Sequence, residues 1–385
     1  MPQQRVEPAL VVPGAPGFGA GIGSRWPAGH GQDEPVTDAR VRWALVGYGS
    51  GGRIFHAPLI AAAAGIELAA VVTGNPERRA RVAVDLPDSG VVPDLSGLSA
   101  MGIEAVTITT PPGTHSQLAH EALEMGLDVV VDKPFALTAP AATELVDAAR
   151  RAGRMLTAYQ NRRWDSDYLT VRRLVADGAL GTVHRFISRI DRFRPVKAGW
   201  ATNPAEGGGT LLDLGPHLVD QALHLFGPVA RLHAQVRVVR AGSGADDEIE
   251  IHLEHVGGVF STLAAGMASA AQGPRFQVAG SSGGYLVNGF DIQEAQLKAG
   301  DSPRTLGAAW GVEPATAFGT LTTAEGSVPV PSEPGSWDRF YPAAAAAVRG
   351  TGEVPVDPAD AVATARVIDA ARLSAAEHRV VEMSG

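Results

Sequence analysis

Between residues 41 and 159, short apolar runs alternate with longer amphipathic stretches. The runs 41–46, 67–72, 105–109, 127–131 and 155–159 read as buried strands. The stretches around 54–60, 114–125 and 138–152 carry their apolar positions at helical spacing. Strands alternating with helices predict a parallel, doubly wound sheet with ligands at the carboxyl ends of its strands. After Asn161 the period changes. Runs at 183–190, 232–239, 248–254, 258–264 and 276–278 read as strands joined by Gly-rich turns, Gly242-Ser243-Gly244, Gly257-Gly258 and Gly283-Gly284 among them. They predict a largely antiparallel sheet, with helices at 168–177 and 215–225 covering one face. The fold class is α/β.

Residues 1–38 lack such periodicity and are crowded with Pro and Gly, which predicts a flexible tail. Its run Gly17-Phe18-Gly19-Ala20-Gly21-Ile22-Gly23 resembles a phosphate loop, but no adequate strand leads into it. Its apolar run is too short for a secretory signal. No segment approaches the roughly 18–20 apolar residues that would span a bilayer. A cytoplasmic protein is expected.

Composition then removes whole classes of chemistry. The 385 residues are 45% hydrophobic and 19% charged, enough for a sizeable core. A net charge of −9 argues against a nucleic-acid surface. The absence of cysteine excludes a thiol nucleophile, a disulfide framework, an iron–sulfur cluster and a thiolate zinc site.

The first strand runs into Gly47-Tyr48-Gly49-Ser50-Gly51-Gly52, a G-x-G-x-x-G match opening a helix. Gly47 suits the tight turn, Gly49 lets backbone approach a pyrophosphate, and Gly52 lets helix pack on strand. Ser50, Arg53 and Ile54 at the helix start join these glycines as candidate cofactor contacts. In this strand–loop–helix setting the expected role is dinucleotide binding. The second strand ends in Thr73-Gly74-Asn75-Pro76-Glu77-Arg78-Arg79, without the carboxylate that holds a ribose 2′-hydroxyl in NAD enzymes. Asn75 reads as a helix N-cap with Pro76 in the first turn. Thr73, Asn75 and Arg78 are therefore cofactor candidates that lean towards NADP, although Arg78 and Arg79 are equally explained as solvated helix arginines. Thr110-Pro111-Pro112, His115 and Asp132-Lys133 sit at or just after later strand ends. Lys133 can be a solvated loop lysine; beside a nicotinamide it would stabilise negative charge on a substrate oxygen.

In the second half, Asp213 and His217 are four apart, hence on one face if helical. A histidine is the natural acid/base for an alcohol proton, and a nearby carboxylate can orient it. A capping Asp and a buried His explain the pair as well, and Gly215-Pro216 interrupts a regular helix. Continuing to Asp220 and His224, the 4-3-4 spacing also allows a metal stripe, but without a third cluster no metal is expected. Asn161, Arg162 and Trp164 should approach the interdomain cleft as cofactor or substrate contacts. Arg192 and Trp200 are candidate substrate contacts, although the Arg/Asp run from Arg189 to Arg194 can pair within itself.

Together these residues resemble the glucose–fructose oxidoreductase/inositol dehydrogenase (Gfo/Idh/MocA) family. The marks are Gly47-Tyr48-Gly49 through Phe55-His56-Ala57-Pro58, Thr110-Pro111-Pro112 with His115, Asp132-Lys133-Pro134, and Asp213 with His217. The runs from Asn161 to Asp167 and from Asp191 to Pro195 are similar to the scyllo-inositol dehydrogenase branch. The resemblance implies a dinucleotide-binding Rossmann domain over 39–160. It further implies a substrate-binding and oligomerisation domain over 161–385 with a large open, mainly antiparallel sheet, through which a homodimer or homotetramer would form. It also implies that Lys133, Asp213 and His217 stand at the reacting carbon. The expected activity is NAD(P)-dependent hydride transfer at a secondary alcohol of a cyclic polyol or sugar, with no nucleic-acid or membrane partner. One departure is Asp132, where the family usually has Glu. Two other classes remain open: a non-catalytic dinucleotide-binding regulator, and a metal-dependent lyase or hydrolase using Asp213, His217 and His224.

Overall fold

The computed structural model describes residues 40–196 and 199–383. The N-terminal tail and its glycine run lie outside the described residues. Six strands, β1 (Val41–Val46), β2 (Ile66–Val72), β3 (Gly90–Val92), β4 (Ala105–Ile108), β5 (Asp128–Val131) and β6 (Leu156–Ala158), form one sheet in the order β3-β2-β1-β4-β5-β6. Every pairing is parallel. Strands β4, β5 and β6 are buried along their whole length, which is why they read as unbroken apolar runs rather than alternations. The order reverses between β1 and β4, opening a crevice at their carboxyl ends. This is the Rossmann arrangement.

The second sheet has nine strands: β7 (Val183–Asp191), β8 (Val229–Arg237), β9 (Glu248–His255), β10 (Phe260–Gly266), β11 (Phe276–Gly280), β12 (Gly283–Val287), β13 (Gly319–Thr323), β14 (Gly326–Val330) and β15 (Val381–Glu382). Their order is β14-β13-β12-β11-β7-β10-β9-β8-β15. Only β10 with β7 is parallel, so the sheet is mixed and mostly antiparallel. Gly283 and Gly284 lie in β12, and the turn falls one step earlier at Ser281-Ser282. Helix Gly215–Phe226 lays Leu218, Val219 and Ala222 against one face of this sheet, each fully buried.

The core around the first sheet is not closed by residues before 160 alone. Trp337, Phe340, Tyr341, Val348 and Val356 return to it after the second sheet is built. Tyr341 stacks edge-on to Trp43 of β1 at 5.8 Å, and aromatic pairs of this kind contribute about 0.5–1.5 kcal/mol beyond burial. Among the described residues, no helix is long and apolar enough to cross a membrane.

Candidate active site

The glycine loop opens the site. Gly47 has φ +103°, a backbone region that glycine occupies without strain. A Cβ on Gly52 would stand 2.1 Å from the Gly47 carbonyl oxygen, so the first turn closes only without a side chain. Gly49 meets nothing within 4 Å and faces open space. A cavity of about 450 Å3 extends from this loop along the strand ends. Gly47, Gly49, Ser50, Arg78, Thr110, Pro111 and Pro112 line its first half, and Asp132, Lys133, Asn161, Arg162, Arg192, Trp200, Asp213 and His217 its second. An open cradle beside a backbone that cannot carry a Cβ suits a dinucleotide pyrophosphate. These residues fit NAD(P).

Lys133 follows β5 and reaches across to the second domain. Its Nζ donates to Asp213 Oδ1 at 2.6 Å and to the Asp213 carbonyl at 2.9 Å. Burial would raise the Asp213 carboxyl, but the Lys133 ammonium and then Arg192 and Arg162 outweigh it and hold the group below the usual carboxylate range. Asp213 ends the short helix Thr210–Asp213, and Leu214 breaks the chain before helix Gly215–Phe226 begins. The two residues therefore do not share one continuous helix. They meet at the cavity because the break turns Asp213 to Lys133 while His217 enters from the first turn of the next helix. His217 is 4% exposed, and its Nδ1 has no hydrogen-bond partner. Burial first, then the nearby Arg162, Lys133, Arg275 and Arg192 charges, push it well below the ordinary histidine value. At neutral pH this imidazole is uncharged and free to accept a proton.

Sequence reasoning missed a further group on helix Gln293–Ala299. Glu294 and Lys298 line the cavity, as do Phe55, His56, Tyr159 and Trp337. Glu294 accepts from Arg162 at 2.9 Å and also pairs with Lys298, while Arg192 stands 3.8 Å away. Burial opposes its ionisation, yet these cations hold it near 2. The signal was absent because Gln293-Glu294-Ala295-Gln296 reads as any solvated helix.

Other candidates point elsewhere. The Arg53 side chain donates to Asp85 at 2.8 Å. Ile54 packs against the first core. The Asn75 side chain caps its helix by accepting from Arg78 N, and Thr73 is buried at the strand end. His115 places its ring nitrogens 2.9 and 2.8 Å from the carbonyl oxygens of Pro134 and Thr110, bracing the two loops rather than facing the cavity. Trp164 stacks edge-on to Phe340 at 5.7 Å and lines a separate cavity. Of the 4-3-4 stripe, Asp220 accepts both Arg163 nitrogens, at 2.8 and 2.7 Å, and His224 Nδ1 lies 2.6 Å from the Tyr168 hydroxyl. Those two are committed to packing contacts, and among the described residues no group of His, Asp or Glu is placed to hold a metal ion.

Comparison with known proteins finds matches over both parts of the chain. Residues 41–160 match the model described as "Oxidoreductase family, NAD-binding Rossmann fold", and residues 168–286 match the GFO/IDH/MocA C-terminal domain. The chain is 33% identical over 347 residues to scyllo-inositol 2-dehydrogenase (NADP(+)) IolW of Bacillus subtilis, covering 89% of this chain and 95% of that one. It is 30% identical over 296 residues to D-apiose dehydrogenase of Paraburkholderia graminis, 74% of each chain. Among solved structures, the oxidoreductase yvaA of Bacillus subtilis superposes with a TM-score of 0.84 at 31% identity, covering 90% of this chain and 99% of that one.

Proposed function

The chain belongs to the Gfo/Idh/MocA oxidoreductase family as an NAD(P)-dependent dehydrogenase, and from that premise we propose that it oxidises, reversibly, a secondary alcohol on a cyclic polyol or sugar. The observation that carries this reading is the 2.6 Å contact of Lys133 with Asp213 in the same cavity as His217 and the glycine loop. Relatives whose names specify an inositol and a pentose support the substrate class. Residues 39–160 act as the dinucleotide-binding domain and 161–385 as the substrate-binding and oligomerisation domain.

Bound NAD(P) supplies the hydride acceptor. Loop 47–52 would hold its phosphates, Thr110 to Pro112 would line the cofactor's path in the same cavity, and Arg78 in the cavity wall would favour a 2′-phosphate, hence NADP. His217 takes the carbinol proton as a neutral base. Lys133 donates to the same oxygen and stabilises its growing negative charge. Asp213 keeps the ammonium aimed. Arg192 and Trp200 contact the remaining substrate hydroxyls.

The test uses purified protein with NADP+ or NAD+ against inositols, pentoses and hexoses, read by absorbance of the reduced cofactor. Turnover of at least one member, with His217→Ala losing turnover while retaining cofactor affinity, is the expected result. No turnover with the whole panel in either direction overturns it.

A further inference from the structure

We propose that His56 is a positioning residue for Lys133: with a proton on Nε2, it anchors the Asp132 carboxylate that holds the lysine backbone. The inference rests on the reading of Lys133 as the group facing the substrate oxygen. His56 is 1% exposed, with Nε2 3.2 Å from Asp132 Oδ2 and Nδ1 2.5 Å from the Tyr341 hydroxyl. The Tyr341 hydroxyl in turn lies 3.2 Å from Thr107 Oγ1, which accepts from Trp43 Nε1 at 2.9 Å.

The carboxylate end of this chain sets where the ring must carry a proton. An indole N–H can only donate, and an ionised carboxylate can only accept. Asp132 is ionised: burial opposes this, but His56 first and then Lys133 bring it to about 2. Nε2 must therefore carry a proton towards Asp132. At Nδ1 a neutral ring accepts from the Tyr341 hydroxyl and a doubly protonated ring donates to it; in both, Nε2–H faces the carboxylate. A proton placed on Nδ1 alone would set a bare nitrogen against a carboxylate oxygen.

Asp132 carries that order to the site. Oδ2 also accepts from Thr109 at 3.1 Å, and Oδ1 accepts the Lys133 backbone N–H at 2.7 Å. Tyr159 packs against the ring, tilted by 47° with centroids 4.3 Å apart. Tyr341 comes from helix Phe340–Val348, so the segment that returns to the first core orders the loop bearing Lys133.

The experiment has two arms. Histidine-15N labelling of the unmodified chain, read through two-bond couplings, gives the tautomer of His56 between pH 6 and 8. A proton on Nε2 is expected; an Nδ1–H form with Nε2 bare overturns the proposal. Kinetics with NADP+ and scyllo-inositol, or whichever panel member the parent turns over, then compare His56→Gln, His56→Leu and Tyr341→Phe. Glutamine keeps a donor near the Nε2 position. It should hold kcat within about threefold, while leucine should lose about tenfold or more in kcat with the KM for NADP+ moved less than twofold. Tyr341→Phe keeps the packed ring and should lose kcat in the same sense, which decides the matter if His56→Leu does not fold. A parent active on the panel, with leucine or Tyr341→Phe at parental kcat, overturns the positioning role alone. A parent inactive on the whole panel overturns the functional reading and this role with it, even where the Nε2–H signature is found.

Discussion

At the scale of single residues, the cavity sets different demands on Lys133 and His217. Lys133 must point its Nζ at the substrate oxygen, and Asp213 at 2.6 Å holds it there. His217 must stay neutral, and burial together with four neighbouring cations secures that. For alcohol oxidation, kcat/KM should rise with pH as free-enzyme His217 loses its proton. Because its folded value lies below the ordinary 6.5 or so, the acid limb should have its midpoint below about pH 6.5. A midpoint above pH 7 would contradict the assignment. Lys133→Met removes the charge next to the developing oxyanion and should lower kcat by about 10²–10³-fold. Cofactor affinity measured by fluorescence titration should change little. Arg78 is exposed and lines the cavity near the glycine loop. Arg78→Ala should raise the KM for NADP+ by about tenfold, one charge-assisted hydrogen bond, and leave that for NAD+ within twofold. Equal changes for both cofactors would remove the 2′-phosphate contact.

At the scale of elements, legibility followed burial. Strands β1, β2, β4, β5 and β6 were readable because each is short, mostly apolar and mostly buried, and their ends gave Thr110, Lys133 and Asn161 a common location. Strands β13 and β14, Gly319-Thr320-Leu321-Thr322-Thr323 and Gly326-Ser327-Val328-Pro329-Val330, were not readable. They bury few side chains, so no apolar period marks them. The helix with Glu294 was also hidden, because its cavity contacts are made with partners distant in sequence, whereas Gly215-Pro216 did signal the interruption between Asp213 and His217. The same holds for Arg53, Asn75, His115 and Trp164, whose residue types suited the cleft but whose hydrogen bonds and ring contacts lie elsewhere. The glycine loop was readable through backbone geometry. Gly52→Ala would press a Cβ against the Gly47 carbonyl at 2.1 Å, a backbone atom that cannot step aside cheaply. Cofactor binding should fall below detection by titration, with a stability loss of about 1–3 kcal/mol. Parental affinity in a folded Gly52→Ala variant would show that the loop has slack.

At the scale of the whole molecule, the two sheets are tied together by a buried polar node just behind the cleft. Asp291 accepts from the backbone N–H groups of Ser166 and Gln293, each at 2.7 Å. Gln293 accepts from Trp337 N at 2.7 Å, and Trp337 donates its indole N–H to Asp165 at 2.8 Å. One cluster thus joins the start of the second domain, the helix bearing Glu294 and Lys298, and the segment returning to the first core. Its position fixes one wall of the cavity, since Trp337 and Glu294 both line it. Burial, followed by the neighbouring Asp167 charge, raises Asp291 to about 7. A carboxyl whose folded value lies above its unfolded value of about 4 stabilises fully below that value, and the contribution is lost as pH rises towards 7. Asp291→Asn removes this dependence, because an amide does not ionise. The melting temperature of the variant relative to the parent should therefore move in the variant's favour between pH 5 and pH 8, read by scanning calorimetry at both values. The sign follows from burial and like charge alone. A difference that stays constant, or that moves in the parent's favour, would mean that Asp291 is ionised throughout and that the cations around Asp165 and Asp167 reach this part of the node.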